Sequence, residues 1–445
     1  MATVTYCEKT KEELIKLLRE RDRQIEELEK EVSELKKKNQ PKFAVSTPKR
    51  RRKKKPGRKE GHLGVTREKP DHIDDIIESR ISTCPHCNHS LGKPIETFDH
   101  TQEDIIPARV KVTCYRKHRY YCKHCKSVIT APYCESEIPH SYIGPNALIQ
   151  ALLLKYHHHL PYNSIRELFQ SFAGLNITEG ALAQALQRIS QWLNVERKAI
   201  LKAIRSSRCA HMDETGWYID GRNSWLWELV NKKLAYYHID LSRGAKVARE
   251  MLGNNFRGIL ISDFYAAYNG LPVRKQKCLV HLLRDMERCR GSDQSEEFLK
   301  HYKRLKRILQ DAHRLRRRGS HLAPRVFYRR LRLIKERLFD FAAASFSNKH
   351  WQRLSKRLLV HYEELLTFLK YPNIPSDNNH AERLIRPNVI NRNRSFGNRS
   401  LRGAEAHATL MSILQSLRLQ DRNIAASFKK AYLAHRKGYE SALLF

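Results

Sequence analysis

The chain has 445 residues, 41% of them hydrophobic, and carries 84 Lys and Arg against 47 Asp and Glu, a formal net charge of +37. Length and apolar content suffice for several packed domains and exclude a disordered tail, while the charge excess points to nucleic acid or another polyanion as partner, through counterion release and steering. No stretch reaches the ~18 uninterrupted apolar residues that cross a bilayer and the N-terminus lacks the apolar core of a signal peptide, so a soluble intracellular protein with no membrane partner is expected.

From Lys11 to Lys38 the sequence is dense in Glu and Lys, with Ile25 and Val32 on one apolar row and Leu28 and Leu35 on another. β-Branched residues on the first row and leucine on the second favour a parallel helix pair, so residues 1–40 read as a coiled coil that makes a homodimer. Arg21 interrupts the seam, and an amphipathic helix folded on its own chain is the competing reading. Residues 41–75 read as a disordered basic arm: Arg50, Arg51, Arg52, Lys53, Lys54, Lys55 and Arg58 repel one another, and prolines and glycine deny them a helix. Such an arm adds affinity for phosphates without sequence preference.

Over 76–136, Cys84-Pro-His-Cys87 and Cys122-Lys-His-Cys125 each place two thiolates within reach of one tetrahedral ion, which reads as a four-cysteine structural zinc site. The 34 residues between the pairs are expected to supply a hairpin over Ile105–Tyr121. Cys114, Cys134, His86, His89, His118 and His124 lie near enough in sequence to replace a ligand.

Residues 137–206 turn helical. Ser164–Phe172 and Thr178–Trp192, joined by a glycine-containing turn with Thr178 as N-cap, suit a helix-turn-helix that contacts DNA, although plain helical hairpins are commoner. His157 to His159 read as a polar stretch of helix rather than a metal site. From residue 207 strands follow: Cys209–Asp213, Ser224–Val230 and Leu234–Leu241, a helix Gly244–Leu252, then a buried strand Arg257–Ser262 ending at Asp263, and Lys275–Val280. That order is expected of a ribonuclease-H-like sheet whose first part spans 207–290. A basic helical insertion covers 291–371. The breaker Pro372-Asn-Ile-Pro-Ser376 then precedes a helix capped by Ser376 or Asp377 that carries Glu382, opening the second part of the core, 372–445. Pro387 is expected to kink or end that helix, and Arg386 offers Glu382 an ordinary i,i+4 ion pair.

At these residues the chain resembles the DDE transposases of the insertion-sequence-66 family. The resemblance rests on Asp213-Glu-Thr-Gly216, Ser262-Asp-Phe-Tyr-Ala-Ala-Tyr268, Cys278-Leu-Val-His281 and Asp377-Asn-Asn-His-Ala-Glu-Arg-Leu-Ile-Arg-Pro387, followed by Asn391-Arg-Asn-Arg-Ser-Phe396. Lys55-Pro-Gly-Arg-Lys-Glu-Gly-His62 and Lys155-Tyr-His-His-His-Leu-Pro161 add to it. Phe264 departs from the glycine often found there.

The resemblance implies an α+β multidomain protein: coiled coil, zinc ribbon, helical DNA-binding region and ribonuclease-H-like α/β core with a helical insertion. It implies Asp213, Asp263 and Glu382 as a catalytic triad holding two Mg²⁺, or Mn²⁺, for cleavage of double-stranded DNA at the element's terminal inverted repeats and joining to target DNA. Arg383, Arg386, Arg392 and Arg394 are expected to clamp phosphates, with Cys278 and His281 as local support. The expected location is the cytoplasm of a prokaryote, on the nucleoid. A transposase-derived regulator without catalysis and a structure-selective nuclease are the competing functions.

Overall fold

The computed structural model describes residues 72–93, 95, 102, 108–134, 137, 138 and 141–436, together with Glu20, Gln24 and Glu27, which are helical. Otherwise the expected coiled coil over 1–40 lies outside the described residues, as does the basic run from Pro48 to Lys59. The chain divides into two units, 1–101 and 102–445. In the first, a tight turn over Cys84–Cys87 is closed by the pairing of Thr83 with Ser90.

The second unit begins with a hairpin, β1 (Arg119–Cys122) and β2 (Ser127–Thr130), paired antiparallel from Arg119–Thr130 to Cys122–Ser127. The hairpin therefore folds around the second cysteine pair; of the expected Ile105–Tyr121 stretch, 105–107 lie outside the described residues, 108–118 form no strand, and Arg119–Tyr121 belong to β1. The physical reason is local: Lys126 takes φ of 50° directly after Cys125, which turns the chain back on itself.

Four helices follow: α1 (Pro145–Leu152), α2 (Tyr162–Ala173), α3 (Glu179–Trp192) and α4 (Asn194–Arg205). α2 stops at Gly174, whose φ of 67° costs glycine nothing. Thr178 caps α3 by accepting the Ala181 N–H at 3.2 Å. Ile165, Phe169 and Leu182 lock the α2–α3 hairpin together. The three histidines do not continue a helix: a π-helical turn ends at His157, and His159 takes φ of 60°.

A five-stranded sheet has the order β5-β4-β3-β6-β7. Its strands are β3 (Cys209–Ile219), β4 (Arg222–Val230), β5 (Ala235–Asp240), β6 (Ile259–Ser262) and β7 (Arg274–Lys277), with helix α5 (Ala245–Leu252) between β5 and β6. β3, β4 and β5 are antiparallel neighbours; β6 and β7 run parallel to β3 and to each other. β3 runs past the expected end at Asp213 to Ile219, because Asp220-Gly221, both at positive φ, form a two-residue hairpin turn into β4. The expected strand Lys275–Val280 stops at Lys277, and a helix starts at Leu279.

That helix, α6 (Leu279–Ser292), joins α7 (Glu296–Arg318), α8 (Pro324–Ala343) and α9 (Lys349–Val360) in a bundle around Phe298, Leu338, Phe341 and Trp351. The chain returns through α10 (Asn379–Ser395), α11 (Leu401–Leu419) and α12 (Ile424–Arg436). β6 feeds both cores in alternation: Leu260 packs with the cluster of α10 and α11, whereas Ile259 and Ile261 pack with the bundle. α11 covers the outer edge of the sheet, where Ser416 and Ser412 accept the N–H groups of Ala235 and Tyr237 at 2.9 and 2.8 Å. Edge groups so paired are closed to other chains. Pro387 does not end α10, which continues to Ser395, held down by Leu384, Ile385, Asn388 and Asn391. Among the described residues no helix is long and apolar enough to cross a membrane.

Candidate active site

Asp213, Asp263 and Glu382 meet near the end of the sheet where β6 leaves it. Asp213 stands on β3 two residues past the last pairing with β6, His211–Ile261, and Asp263 directly follows β6. Glu382 lies in the first turn of α10. The loop before α10 is stitched to β3: the Asn378 side chain donates to the Met212 carbonyl at 3.1 Å and pairs with His211 Nδ1 at 3.0 Å. Asn378, rather than the expected Ser376 or Asp377, occupies the N-cap position, while Asp377 Oδ1 accepts the Asn379 N–H at 3.1 Å. Farther along, Tyr237 donates to the Leu384 carbonyl at 2.8 Å, fixing α10 over the sheet.

Electrostatics tie the three acids together. Burial pushes the Asp213 carboxyl well above its ordinary range, and the negative charges of Asp263, Glu214 and Glu382 push it further, against one backbone N–H from Glu214. Asp263 Oδ1 accepts the Tyr265 N–H at 2.8 Å. Behind it, buried Lys277 donates to the Asp263 carbonyl at 2.9 Å and to Ser262 Oγ at 3.3 Å. Burial brings Lys277 down to about 8 although Glu364 and Asp263 favour its charge. Glu382 is gripped by Arg284, with contacts of 3.0 and 3.2 Å, and its expected pairing with Arg386 does not form.

Cys278 and His281 sit beside Glu382, and one donor atom from each of the three lies within 4.8 Å of the others. The triad carboxylates do not form so tight a group among the described residues. Burial pushes the Cys278 thiol up to about 11 despite backbone N–H donors that include Asn378, at 3.2 Å.

Several neighbours escaped sequence reasoning. Glu228 stands directly opposite Asp213 across β3–β4, is fully buried, and neither carboxyl oxygen has a hydrogen-bond partner. Burial, then the charge of Asp213, pushes its carboxyl well above the usual range. An acid inside the apolar run Trp225–Val230 was the available signal. Glu214 on β3 binds the Tyr268 hydroxyl and Arg243, the latter at 2.8 Å. Of the expected phosphate clamps, Arg383, Arg386 and Arg394 are exposed. Arg392 instead donates to Thr215 Oγ1 at 3.2 Å and to the Gly216 carbonyl, so it braces β3 against α10.

The two cysteine loops share one local design. In the first, Asn88 at φ 55° donates to the Cys84 carbonyl at 2.8 Å. In the second, Lys126 takes the matching position after Cys125. Backbone N–H groups of His86 and Cys87 lower the Cys84 thiol, and that of Cys125 lowers Cys122, so each loop favours a thiolate.

Residues 140–406 match the family model described as "Transposase IS66 family", and residues 82–126 match "zinc-finger binding domain of transposase IS66". Two proteins of Sinorhizobium fredii are similar. "Uncharacterized protein y4jD" is 26% identical over 393 residues, covering 79% of this chain and 74% of that protein. "Uncharacterized protein y4hP" is 26% identical over 398 residues, covering 78% and 70%.

Proposed function

Because the chain belongs to the IS66 family of transposases, with that family's zinc-finger domain, we propose that it binds the terminal inverted repeats of its element, cuts them and joins the 3′-hydroxyl ends to target DNA. The observation that carries this reading is the convergence of Asp213 on β3, Asp263 at the end of β6 and Glu382 in the first turn of α10, in a chain of net charge +37; burial first, and then the charges of Asp263, Glu214 and Glu382, hold the Asp213 carboxyl above its ordinary range. Such a set calls for cations, and carboxylate oxygens are the hard donors that suit Mg²⁺ or Mn²⁺. The strand order supports a ribonuclease-H-like core.

Asp213, Asp263 and Glu382 would hold the metal ions, and divalent cations bound there supply Lewis-acid stabilisation of the attacking and leaving oxygens. To hold a cation, Asp213 would have to be ionised, and Glu382 would have to turn its oxygens from the Arg284 guanidinium. Arg284, once released, stands ready to face a phosphate, as do exposed Arg383, Arg386 and Arg394. Lys277 holds the main chain of Asp263, and Asn378 holds the start of α10, so both act as positioning residues. Cys84, Cys87, Cys122 and Cys125 are the zinc ligands in this reading. The α2–α3 hairpin and the basic arm contact DNA, the N-terminal helix pairs two copies, and the protein works on the nucleoid in the cytoplasm.

The test is Asp263→Asn with purified full-length protein, Mg²⁺ and labelled element ends. Cleavage and joining are expected to fall by at least ~100-fold while end binding persists. Unchanged activity removes Asp263 from the site. Wild-type cutting without joining indicates a nuclease, and binding without cutting a regulator.

A further inference from the structure

Between α10 and α11 the chain exposes an aromatic ring that nothing in the catalytic reading uses. Phe396 follows the last turn of α10 at φ 53° and ψ 30°, a left-handed conformation that bulky residues avoid, and its relative exposure is 82%. The turn is not loose. Its Asn398 accepts the Asp220 N–H at 2.8 Å, donates to the Tyr218 carbonyl at 2.9 Å, and takes the Trp217 indole N–H on its side chain at 2.8 Å. Gly397, at φ 86°, lies so close that a Cβ would overlap the Tyr218 carbonyl. A strained, rigidly held and exposed aromatic is costly for folding alone, which is the circumstance in which strain signals function.

The surroundings are cationic and concave. Arg394, Arg399 and Arg402 are exposed, without a carboxylate partner among the described residues. Next to them a cavity of about 390 Å³ opens toward the α2–α3 hairpin; Tyr162 and buried Lys155 line it, with Glu179 as an acidic member of the lining beside Arg394 and Arg399. Lys155 donates to Ser395 Oγ at 2.9 Å and stands 4.6 Å from the Tyr162 ring centre. Burial brings it down to about 8, which leaves it largely charged at neutral pH and able to face an anion.

We propose that this turn and the cavity behind it take one unpaired nucleotide of bound DNA, its base stacked on Phe396 and its phosphate turned to Lys155 and Arg394. Aromatic stacking accepts any base, so the site reads distortion and not sequence. The inference rests on the DNA-joining reading above and adds a contact remote from the acids. The 14 residues from Glu382 to Phe396 span about 21 Å of helix, which matches about six base pairs of duplex.

The test compares two fluorescein-labelled 30-mer duplexes, one fully paired and one with a two-nucleotide central bulge carrying 2-aminopurine, on full-length protein. Wild type is expected to prefer the bulged duplex roughly tenfold and to quench the 2-aminopurine. Phe396→Asn, which tolerates the left-handed backbone, should lose the preference and the quenching, keep its affinity for paired DNA, and melt no lower than wild type. Phe396→Trp should keep both signals. A preference that survives in Phe396→Asn, or is absent from wild type, overturns the proposal and leaves the catalytic reading standing. Failure of wild type to bind either duplex defeats both. Weaker self-association of Phe396→Asn, with DNA binding unaltered, also overturns the proposal and assigns the ring to a subunit interface.

Discussion

Replacing Glu228 by Gln removes a fully buried, unpartnered acid that faces Asp213 across the sheet. In the folded chain burial keeps its proton on, whereas the unfolded chain releases it near pH ~4.3. Between the unfolded and folded pKa values the native state binds one proton more, so stability falls by about 1.4 kcal/mol for each pH unit gained. The contribution of Glu228 is whole below the unfolded value and is lost as pH rises toward the folded one. Asp213 is raised in the same direction and adds a second proton, which makes the combined slope about 2.7 kcal/mol per unit where both windows overlap. Glu228→Gln should halve that slope and stabilise the protein increasingly as pH rises. Urea unfolding from pH 5 to 8 in magnesium-free, zinc-saturated buffer measures it, since other titrating groups cancel in the difference. Parallel curves for the two proteins would refute a protonated Glu228.

Arg284→Ala frees Glu382 from an exposed pair worth at most ~1 kcal/mol, so the Mg²⁺ concentration for half-maximal cleavage should fall by about two- to fivefold; a rise would count against Glu382 as a ligand. Gly397→Ala forces a side chain against Tyr218 at φ 86° and should cost at least ~2 kcal/mol, read as a lowered melting temperature. Cys122→Ser should abolish bound zinc by metal analysis while the main unfolding transition of the sheet persists; retained zinc would exclude Cys122 from the ligand set.

Much of the architecture was written in short-range chemistry. Gly174 and Thr178 bracket the α2–α3 turn where a C-cap glycine and an N-cap threonine belong, and the apolar run before Asp263 marked a buried strand. Asp220-Gly221 carried an equally local hairpin signal, and missing it cut β3 short. Pro387 misled because tertiary packing of α10 on β3 outweighs one lost helix bond. The grip of Arg284 on Glu382 joins residues 98 positions apart, and the silence around Glu228 depends on neighbours from several elements. Neither has a pattern in one dimension. Arg392 reads like any phosphate-binding arginine until β3 is seen to occupy it.

The bundle begins and ends at one seam: Leu279 N–H donates to the Ser376 carbonyl at 2.9 Å. On the ribosome all five strands emerge before α6, but α10 and α11, which cover one face of the sheet and its outer edge, emerge only after another 100 residues or so, about 5–20 s later at ordinary synthesis rates. During that interval the nascent sheet has an open apolar face and lacks its third acid. A product truncated within the bundle is therefore expected to aggregate, because the apolar face that α10 and α11 bury stays open to solvent.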